Sequence, residues 1–158
     1  MTAPRRPNSV LFACDRNSVR SPMAEVLLKA RMGTAVYVDS VGVRAAEVDP
    51  FAVAVMREVG LDLVRHRAKT FADLMDSSFD VIISLSPSAQ HSAVELTRTM
   101  ACELWFWHTL DATAVRGNRE VIVAAYREVR DSLTAKIAAA FPLPAATAPV
   151  ARPVAETP

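Results

Sequence analysis

The length, composition and charge of this chain exclude several classes of protein. Its 158 residues suffice for one domain with its own core, and an apolar fraction of 51% excludes disorder of the whole chain. The formal net charge of +1 gives no general attraction to nucleic acid or to an anionic membrane, so neither is expected as a partner and any anion must be bound locally.

The first half of the chain alternates short apolar segments with amphipathic ones. Ser9–Ala13 and Val36–Val41 are short, apolar and followed by polar residues, and both predict strands. A helix-start signal, a capping residue and then proline, occurs after each of them, at Ser21-Pro22 and Asp49-Pro50. Apolar residues then recur at helical spacing in both segments, and Gly60 is placed to end the second helix.

The second half repeats this alternation. Strands are predicted at Asp80–Ser86 and Cys102–His108, and helices at Phe71–Met75, at Ala89–Arg98 and from about 118 to 141. Four strand-helix repeats predict an α/β fold of three layers, in which a four-stranded parallel sheet carries helices on both faces. Ligands bind such sheets beyond the carboxyl ends of the strands, so chemistry is expected in the loop after the first strand.

The two ends of the chain differ from its middle. We expect residues 1–8 to form a flexible N-terminus, residues 9–141 to form the domain, and the proline- and alanine-rich residues 142–158 to form a disordered tail. The sequence has neither a signal-peptide pattern near its start nor an apolar run long enough for a membrane span. Cys14 and Cys102 are too far apart to indicate a disulfide scaffold or a structural zinc site, so a reducing cytoplasm is the expected compartment.

The loop after the first strand contains a cysteine and an arginine separated by five residues, Cys14 and Arg20. Between a strand and a capped helix, a loop of this length can curl so that its backbone N–H groups cradle a phosphate or another oxyanion. Arg20 would add a planar fork for two of the oxygens, and Asn17 tolerates the left-handed backbone that such a turn needs. The predicted phosphate-binding residues are Asp15, Arg16, Asn17, Ser18, Val19, Arg20 and Ser21.

Cys14 is the candidate nucleophile of this loop. Neighbouring N–H dipoles, a helix N-terminus and the Arg20 guanidinium favour a thiolate, and a thiolate that faces a phosphate monoester is an in-line nucleophile. Ser21 is expected to donate a hydrogen bond to the sulfur. The spacing alone leaves a buried structural cysteine as the alternative, and the strand before the loop and the capped helix after it favour the catalytic interpretation.

The segment SVLFACDRNSVRSPMAEVLLKARM resembles the low-molecular-weight protein tyrosine phosphatases and the thioredoxin-coupled arsenate reductases that share their fold. The resemblance extends over residues 9 to 141 and implies a two-step mechanism without metal or cofactor. In that mechanism Cys14 forms a phosphocysteine, and Asp111 protonates the leaving oxygen and then activates water. The implied substrates are a phosphorylated protein or a small phosphomonoester.

Four departures from the family pattern bear on the substrate. Arg16 stands where the family usually has glycine, Val19 replaces a second cysteine, and Ala112 replaces the proline after the general acid. The aromatic residues that grip a phosphotyrosine ring in the tyrosine-specific members are missing after Asp111 and are not evident in DSVGVRAAEVDP. The arsenate reductases also use two relay cysteines near the end of the third strand, and the corresponding SLSPSAQHSAVEL contains none.

Three functional hypotheses follow from these residues. The first is a phosphomonoester phosphatase, of the protein tyrosine type, that acts through a phosphocysteine. The second is an arsenate reductase that uses an external thiol or a glutaredoxin-type partner, and the third is a non-catalytic phosphate- or phosphoprotein-binding relative. The three histidines show no metal-ligand spacing, Cys102 is expected to be buried and inert, and residues 127–130 of the last helix are expected to form a solvated face.

Overall fold

Four parallel strands form the sheet that carries the candidate site. The computed structural model describes residues 6–74 and 78–143. In chain order the strands are β1 (Ser9–Cys14), β2 (Tyr37–Gly42), β3 (Val81–Ser84) and β4 (Glu103–Phe106), and they lie side by side in the order β2-β1-β3-β4. The chain therefore leaves β1 for β2 on one side and crosses to β3 on the other. The carboxyl end of β1 lies where the strand order reverses, which is the ligand position in sheets of this kind.

Helices cover both faces of this sheet. They are α1 (Arg20–Met32), α2 (Pro50–Arg57), α3 (Pro87–Leu96) and α4 (Arg119–Ala140). Helices α1, α2 and α4 contribute to the larger buried cluster, whereas α3 packs on the opposite face with a smaller one. The predicted three-layer α/β fold with a four-stranded parallel sheet is confirmed. Short 3₁₀ turns lie at Gly33–Ala35, Phe71–Asp73 and Ala112–Ala114.

Strand β1 divides its side chains between the two cores because neighbouring residues of a strand point to opposite faces. Val10, Phe12 and Cys14 belong to the larger cluster, and Leu11 and Ala13 belong to the smaller one. All five are at most 2% exposed. A strand buried on both faces is rigid, so the loop that begins at its last residue starts from a fixed point.

Some predicted boundaries shift for local reasons. Helix α3 begins at Pro87 and not at Ala89, because the Ser86 hydroxyl accepts a hydrogen bond from the Ala89 N–H and caps the helix. The helix predicted at Phe71–Met75 is a 3₁₀ turn over Phe71–Asp73, and its predicted last residue lies outside the described residues.

Two further predictions about single residues are wrong. Cys102 is half-buried and not fully buried, and burial raises the pKa of its thiol. Arg130 does not belong to a solvated face: it is 9% exposed and donates to the Val55 carbonyl and to Glu58. Hydrogen bonds from Arg127 and Arg130 lower the pKa of Glu58 to about 2, and they join α2 to α4.

The predictions for the chain ends lie mostly outside the described residues. Residues 1–5 and 144–158 belong to neither described range, so the flexible N-terminus and the disordered tail stay predictions. Within the described ranges, no helix has the length and apolar character needed to cross a membrane.

Candidate active site

The loop from Cys14 to Ser21 is held from outside by the segment that follows β2. The carbonyls of Cys14, Asp15, Arg16 and Ser18 accept hydrogen bonds of 2.9–3.1 Å from backbone N–H groups of residues 43–49. The C=O and N–H of a trans peptide point in opposite directions, so this arrangement turns the N–H groups of the same peptide units toward the concave side of the loop. A concave set of N–H groups next to the start of α1 is an anion-binding nest.

Gly42, the last residue of β2, lets the loop approach the sheet closely. A Cβ atom at this position would lie 2.3 Å from the Arg44 carbonyl oxygen and 2.6 Å from the Asn17 backbone nitrogen. These neighbours are backbone atoms of the loop and of the segment that supports it, so neither can move away without changing the shape of the nest. Position 42 therefore requires glycine because backbone atoms lie too close for any side chain, although nothing in the sequence pattern indicates this.

Replacing Gly42 by alanine is expected to distort the nest. We expect the affinity for inorganic phosphate to fall by about 10- to 100-fold, because one displaced N–H group loses a hydrogen bond to a charged oxygen, which contributes about 1.5–3 kcal/mol. Titration calorimetry measures the affinity. Gly60→Ala is the control for replacing a glycine away from the pocket, since nothing lies within 4 Å of the Gly60 Cβ position. A Gly42→Ala protein that binds phosphate like the Gly60→Ala protein would contradict this role.

Asn17 holds the turn of the loop from within. Its φ of 52° is left-handed, as predicted, and it is the one described non-glycine residue with a positive φ. Its side-chain amide donates to Ser21 Oγ and Ser40 Oγ, each at 2.9 Å, and its Oδ1 accepts from the Lys69 N–H and from His66 Nε2, each at 3.0 Å. The Asn17 side chain therefore stabilises the loop from behind and does not contact the pocket.

His66 is a support of this loop that the sequence did not reveal as such. Its Nε2 lies 3.1 Å from the Asn17 carbonyl oxygen as well as 3.0 Å from Oδ1, and since both atoms are acceptors, Nε2 carries the proton. Burial lowers the pKa of His66, and this outweighs the opposite effects of nearby acidic groups. His66 is thus neutral near pH 7 and acts as a donor to the loop.

His66 is expected to make stability fall with acid. Because its pKa is lowered in the folded state, its contribution is complete above the unfolded pKa of about 6.5 and decreases as the pH falls below that value. Melting temperatures of the wild type and of His66→Gln, measured between about pH 5 and 8, test this. We expect the variant to lose part of the slope below about pH 6.5. His91→Gln, at an exposed position, is the control, and an unchanged slope in His66→Gln would contradict the assignment.

Cys14 lies at the bottom of the nest with its sulfur close to Ser21. Its Sγ lies 2.8 Å from Ser21 Oγ and accepts a hydrogen bond of 3.4 Å from the Ser21 N–H. Ser21 Oγ accepts from Asn17, and its own proton has two acceptors within reach, the Cys14 sulfur at 2.8 Å and the Val41 carbonyl at 3.3 Å, of which the sulfur is the nearer. The hydroxyl and N–H contacts to the sulfur stabilise negative charge on Sγ.

Arg20 is fixed at the other end of the loop. It is 7% exposed, and its guanidinium contacts Asp15 Oδ2 at 3.1 Å and donates to the Thr109 carbonyl at 3.2 Å. Asp15 Oδ1 accepts from Ser86 Oγ at 2.6 Å and also from Ser88 Oγ. Burial acts to raise the pKa of Asp15, but the hydrogen bonds from the two serines and the Arg20 charge outweigh it and the pKa is lowered. Asp15, predicted only as part of the backbone cradle, therefore positions Arg20 through its side chain.

Asp111 follows β4 and reaches the same pocket. Its Oδ1 accepts from the Thr113 N–H at 3.0 Å and from Thr113 Oγ1 at 2.5 Å, so it caps the 3₁₀ turn that begins at Ala112. No described residue donates to Oδ2. The turn forms with alanine in the position where the family pattern has proline, and it leaves one oxygen of Asp111 free to exchange a proton with a bound molecule.

The structure thus brings the three candidate catalytic residues Cys14, Arg20 and Asp111 to one pocket. The side chains of Asn17 and Ser21 lie behind it, and Arg44 and Thr113 are lining residues that sequence reasoning missed. Within the described ranges, no three side chains of metal-binding type lie together. The full lining of this pocket comprises Cys14, Asp15, Arg16, Ser18, Val19, Arg20, Arg44, Asp111 and Thr113.

A cysteine and an arginine at the two ends of an anion-binding loop, at the carboxyl edge of a parallel sheet, define a cysteine-based enzyme that acts on oxyanions. Residues 9–138 match the family model described as low molecular weight phosphotyrosine protein phosphatase, and the chain belongs to this family. The resemblance noted from the sequence is thereby confirmed.

Individual relatives include both activities known in this group. An arsenate reductase of Halalkalibacterium halodurans is 31% identical over 81% of this chain and 91% of its own length. A glutaredoxin arsenate reductase of Synechocystis is 38% identical over 48% of this chain, and the chain spans 58% of that relative. A solved low molecular weight protein tyrosine phosphatase from T. tengcongensis has a TM-score of 0.68 and 27% identity, and the match covers 82% of this chain and 94% of that one.

Proposed function

We propose that this protein hydrolyses phosphomonoesters, including protein phosphotyrosine, through a phosphocysteine formed on Cys14. One observation supports this above the others: Cys14, Arg20 and Asp111, which come from opposite ends of the loop and from the segment after β4, line one pocket. A nucleophile, an oxyanion clamp and a proton donor are the three groups that phosphoryl transfer to a thiolate requires. The reaction needs a reduced thiol, so we assign the activity to the cytoplasm.

In the first step the Cys14 thiolate attacks phosphorus while the ester P–O bond breaks. The nonbridging oxygens are held by loop N–H groups and by Arg20, whose orientation is maintained by Asp15. The leaving oxygen takes the proton that Asp111 Oδ2 carries. The alcohol departs, and the phosphoryl group remains on the sulfur.

In the second step Asp111, now a carboxylate, removes a proton from water as the water oxygen attacks phosphorus. The S–P bond breaks, and its electron pair returns to Cys14 Sγ. Ser21 Oγ, at 2.8 Å from that sulfur, stabilises the thiolate as it leaves. Inorganic phosphate is the product, and the protein returns to its starting state.

Arsenate reduction is the second candidate, because the curated relatives named above are arsenate reductases. Arsenate fits the same nest, and Cys14 would attack arsenic with loss of water. An external thiol would then attack the Cys14 sulfur and break the As–S bond, whose electron pair stays on arsenic and reduces it to arsenite. The mixed disulfide that remains on Cys14 would be reduced by a second thiol. The residues after β3 that lie beside the nest are serines, Ser86 and Ser88, and not cysteines. Cys102 precedes β4 and so lies at the opposite edge of the sheet. Reduction would therefore require an external thiol or a glutaredoxin.

Two assays separate these functions. The first measures hydrolysis of para-nitrophenyl phosphate with reductant and chelator present, and the second measures thiol consumption that depends on arsenate. We expect chelator-resistant hydrolysis. A folded wild-type protein that hydrolyses no ester but consumes thiol with arsenate would replace the proposal by the second candidate. Phosphate binding without either reaction would indicate the non-catalytic relative.

A further inference from the structure

Two arginines at the mouth of the pocket have no role in the mechanism described above. Arg16 and Arg44 line the same pocket as Cys14, and both are exposed. Neither guanidinium contacts a carboxylate or any other hydrogen-bond acceptor of the described residues. The third arginine of the pocket, Arg20, differs in both respects, since it is buried and paired with Asp15.

The backbone keeps these two arginines side by side. The Arg44 N–H donates to the Asp15 carbonyl at 2.9 Å, and the Ala46 N–H donates to the Arg16 carbonyl at 3.0 Å. Both contacts belong to the hydrogen bonds that hold the loop itself, so the two arginines stay at the mouth in any state in which the nest is formed. Exposure leaves their long side chains free to reach a bound molecule.

The acidic groups of the pocket do not neutralise this pair. Asp15 is paired with Arg20 and accepts from Ser86 and Ser88, and Asp111 accepts from Thr113 and contacts neither of the two guanidinium groups. In the first step of the proposed reaction Asp111 also carries a proton. The mouth then presents two free cations beside a nest that already holds the phosphoryl group.

We propose that Arg16 and Arg44 form a second anion subsite, which makes the preferred substrate a phosphomonoester with another anionic group close to its phosphoryl group. This inference deepens the proposed function and rests on it for the reaction, but not for the binding. The second group is a carboxylate or a phosphate, since both match the guanidinium fork. A glycine at position 16, as in the resembling family pattern, would offer no such cation.

The binding test uses the full chain with Cys14→Ser, which prevents turnover. Titration calorimetry at low salt compares the dissociation constants of inorganic pyrophosphate and inorganic phosphate, and their ratio measures the second subsite. We expect pyrophosphate to bind more tightly, and the ratio to fall by about 5- to 20-fold when Arg16→Gln and Arg44→Gln are added, as two exposed ion pairs would give. Arg57→Gln, an exposed arginine at the end of α2, is the control and should keep the ratio. An equal ratio in the double variant overturns the proposal.

The substrate test identifies the source of the second anion. One arm compares phosphotyrosine peptides with glutamate or glutamine beside the phosphoresidue, and the other compares phenyl phosphate with its carboxylate-bearing analogue. We expect kcat/KM to favour the anionic member of at least one pair, with a preference that disappears at high salt and in the double variant. If the enzyme hydrolyses these esters but prefers the anionic member of neither pair, the subsite proposal is overturned and the proposed function stands. No hydrolysis at all, with a pyrophosphate advantage that the arginine variants abolish, overturns the proposed function and supports the subsite.

Discussion

Replacing Cys14 by serine is expected to abolish hydrolysis of para-nitrophenyl phosphate, with a loss of more than about 10⁴-fold in kcat. The physical reason is that no other described group in the pocket can form the covalent intermediate, since a serine hydroxyl is not ionised near neutral pH. The shape of the nest does not depend on the sulfur, because carbonyls of the loop bind residues 43–49 and Asn17 holds the turn. Phosphate binding, measured by calorimetry, should therefore persist in the variant.

The matched control is Cys102→Ser, which removes the other cysteine of the chain. Cys102 is half-buried just before β4, at the sheet edge opposite to the nest. We expect this variant to retain nearly all activity. Hydrolysis that survives in Cys14→Ser, or that disappears equally in both variants, would show that the nucleophile has been wrongly assigned.

Replacing Asp111 by asparagine is expected to lower kcat for phenyl phosphate by about 10²–10⁴-fold. Asparagine keeps the Oδ1 that accepts from Thr113, so the 3₁₀ turn should remain, but it can neither give a proton to the leaving oxygen nor take one from water. The loss in the first step should be smaller for para-nitrophenyl phosphate, because nitrophenolate is stable enough to leave without a proton. The measurement is the ratio of the two single-turnover rates in the variant and in the wild type.

Asp62→Asn provides the matched control for this change. Asp62 is exposed and accepts from the Val64 N–H two residues later, as Asp111 does from Thr113. It is not among the residues that line the pocket. It should leave both rates unchanged. An equal loss on both substrates in Asp111→Asn would mean that Asp111 maintains the structure of the site and does not transfer the proton.

Much of the fold was predictable because it depends on local patterns. Each strand of the sheet begins at its predicted first residue or one residue later, because a short apolar run marks it, and α2 begins at the Pro50 that the capping signal indicated. The start of α3 was missed because Ser86 looked like the end of a strand, whereas its hydroxyl caps the following helix. The strand alternation predicted a parallel sheet but not the order β2-β1-β3-β4 of its strands. That order depends on which strands pair, and the sequence of a single strand does not specify its neighbours.

The spacing of Cys14 and Arg20 between a strand and a helix was enough, from the sequence by itself, to indicate an oxyanion nest, because such a nest is built from one continuous segment. The predicted cap at Ser21 was wrong, since α1 begins at Arg20 and has no side-chain cap. What surrounds the nest depended on tertiary structure. His66 is 49 residues from the Asn17 that it supports, and Ser86 is 71 residues from the Asp15 that it binds. Parallel strands bring their carboxyl ends to one edge, so side chains that are distant in sequence meet there, and only the assembled sheet decides which of them touch.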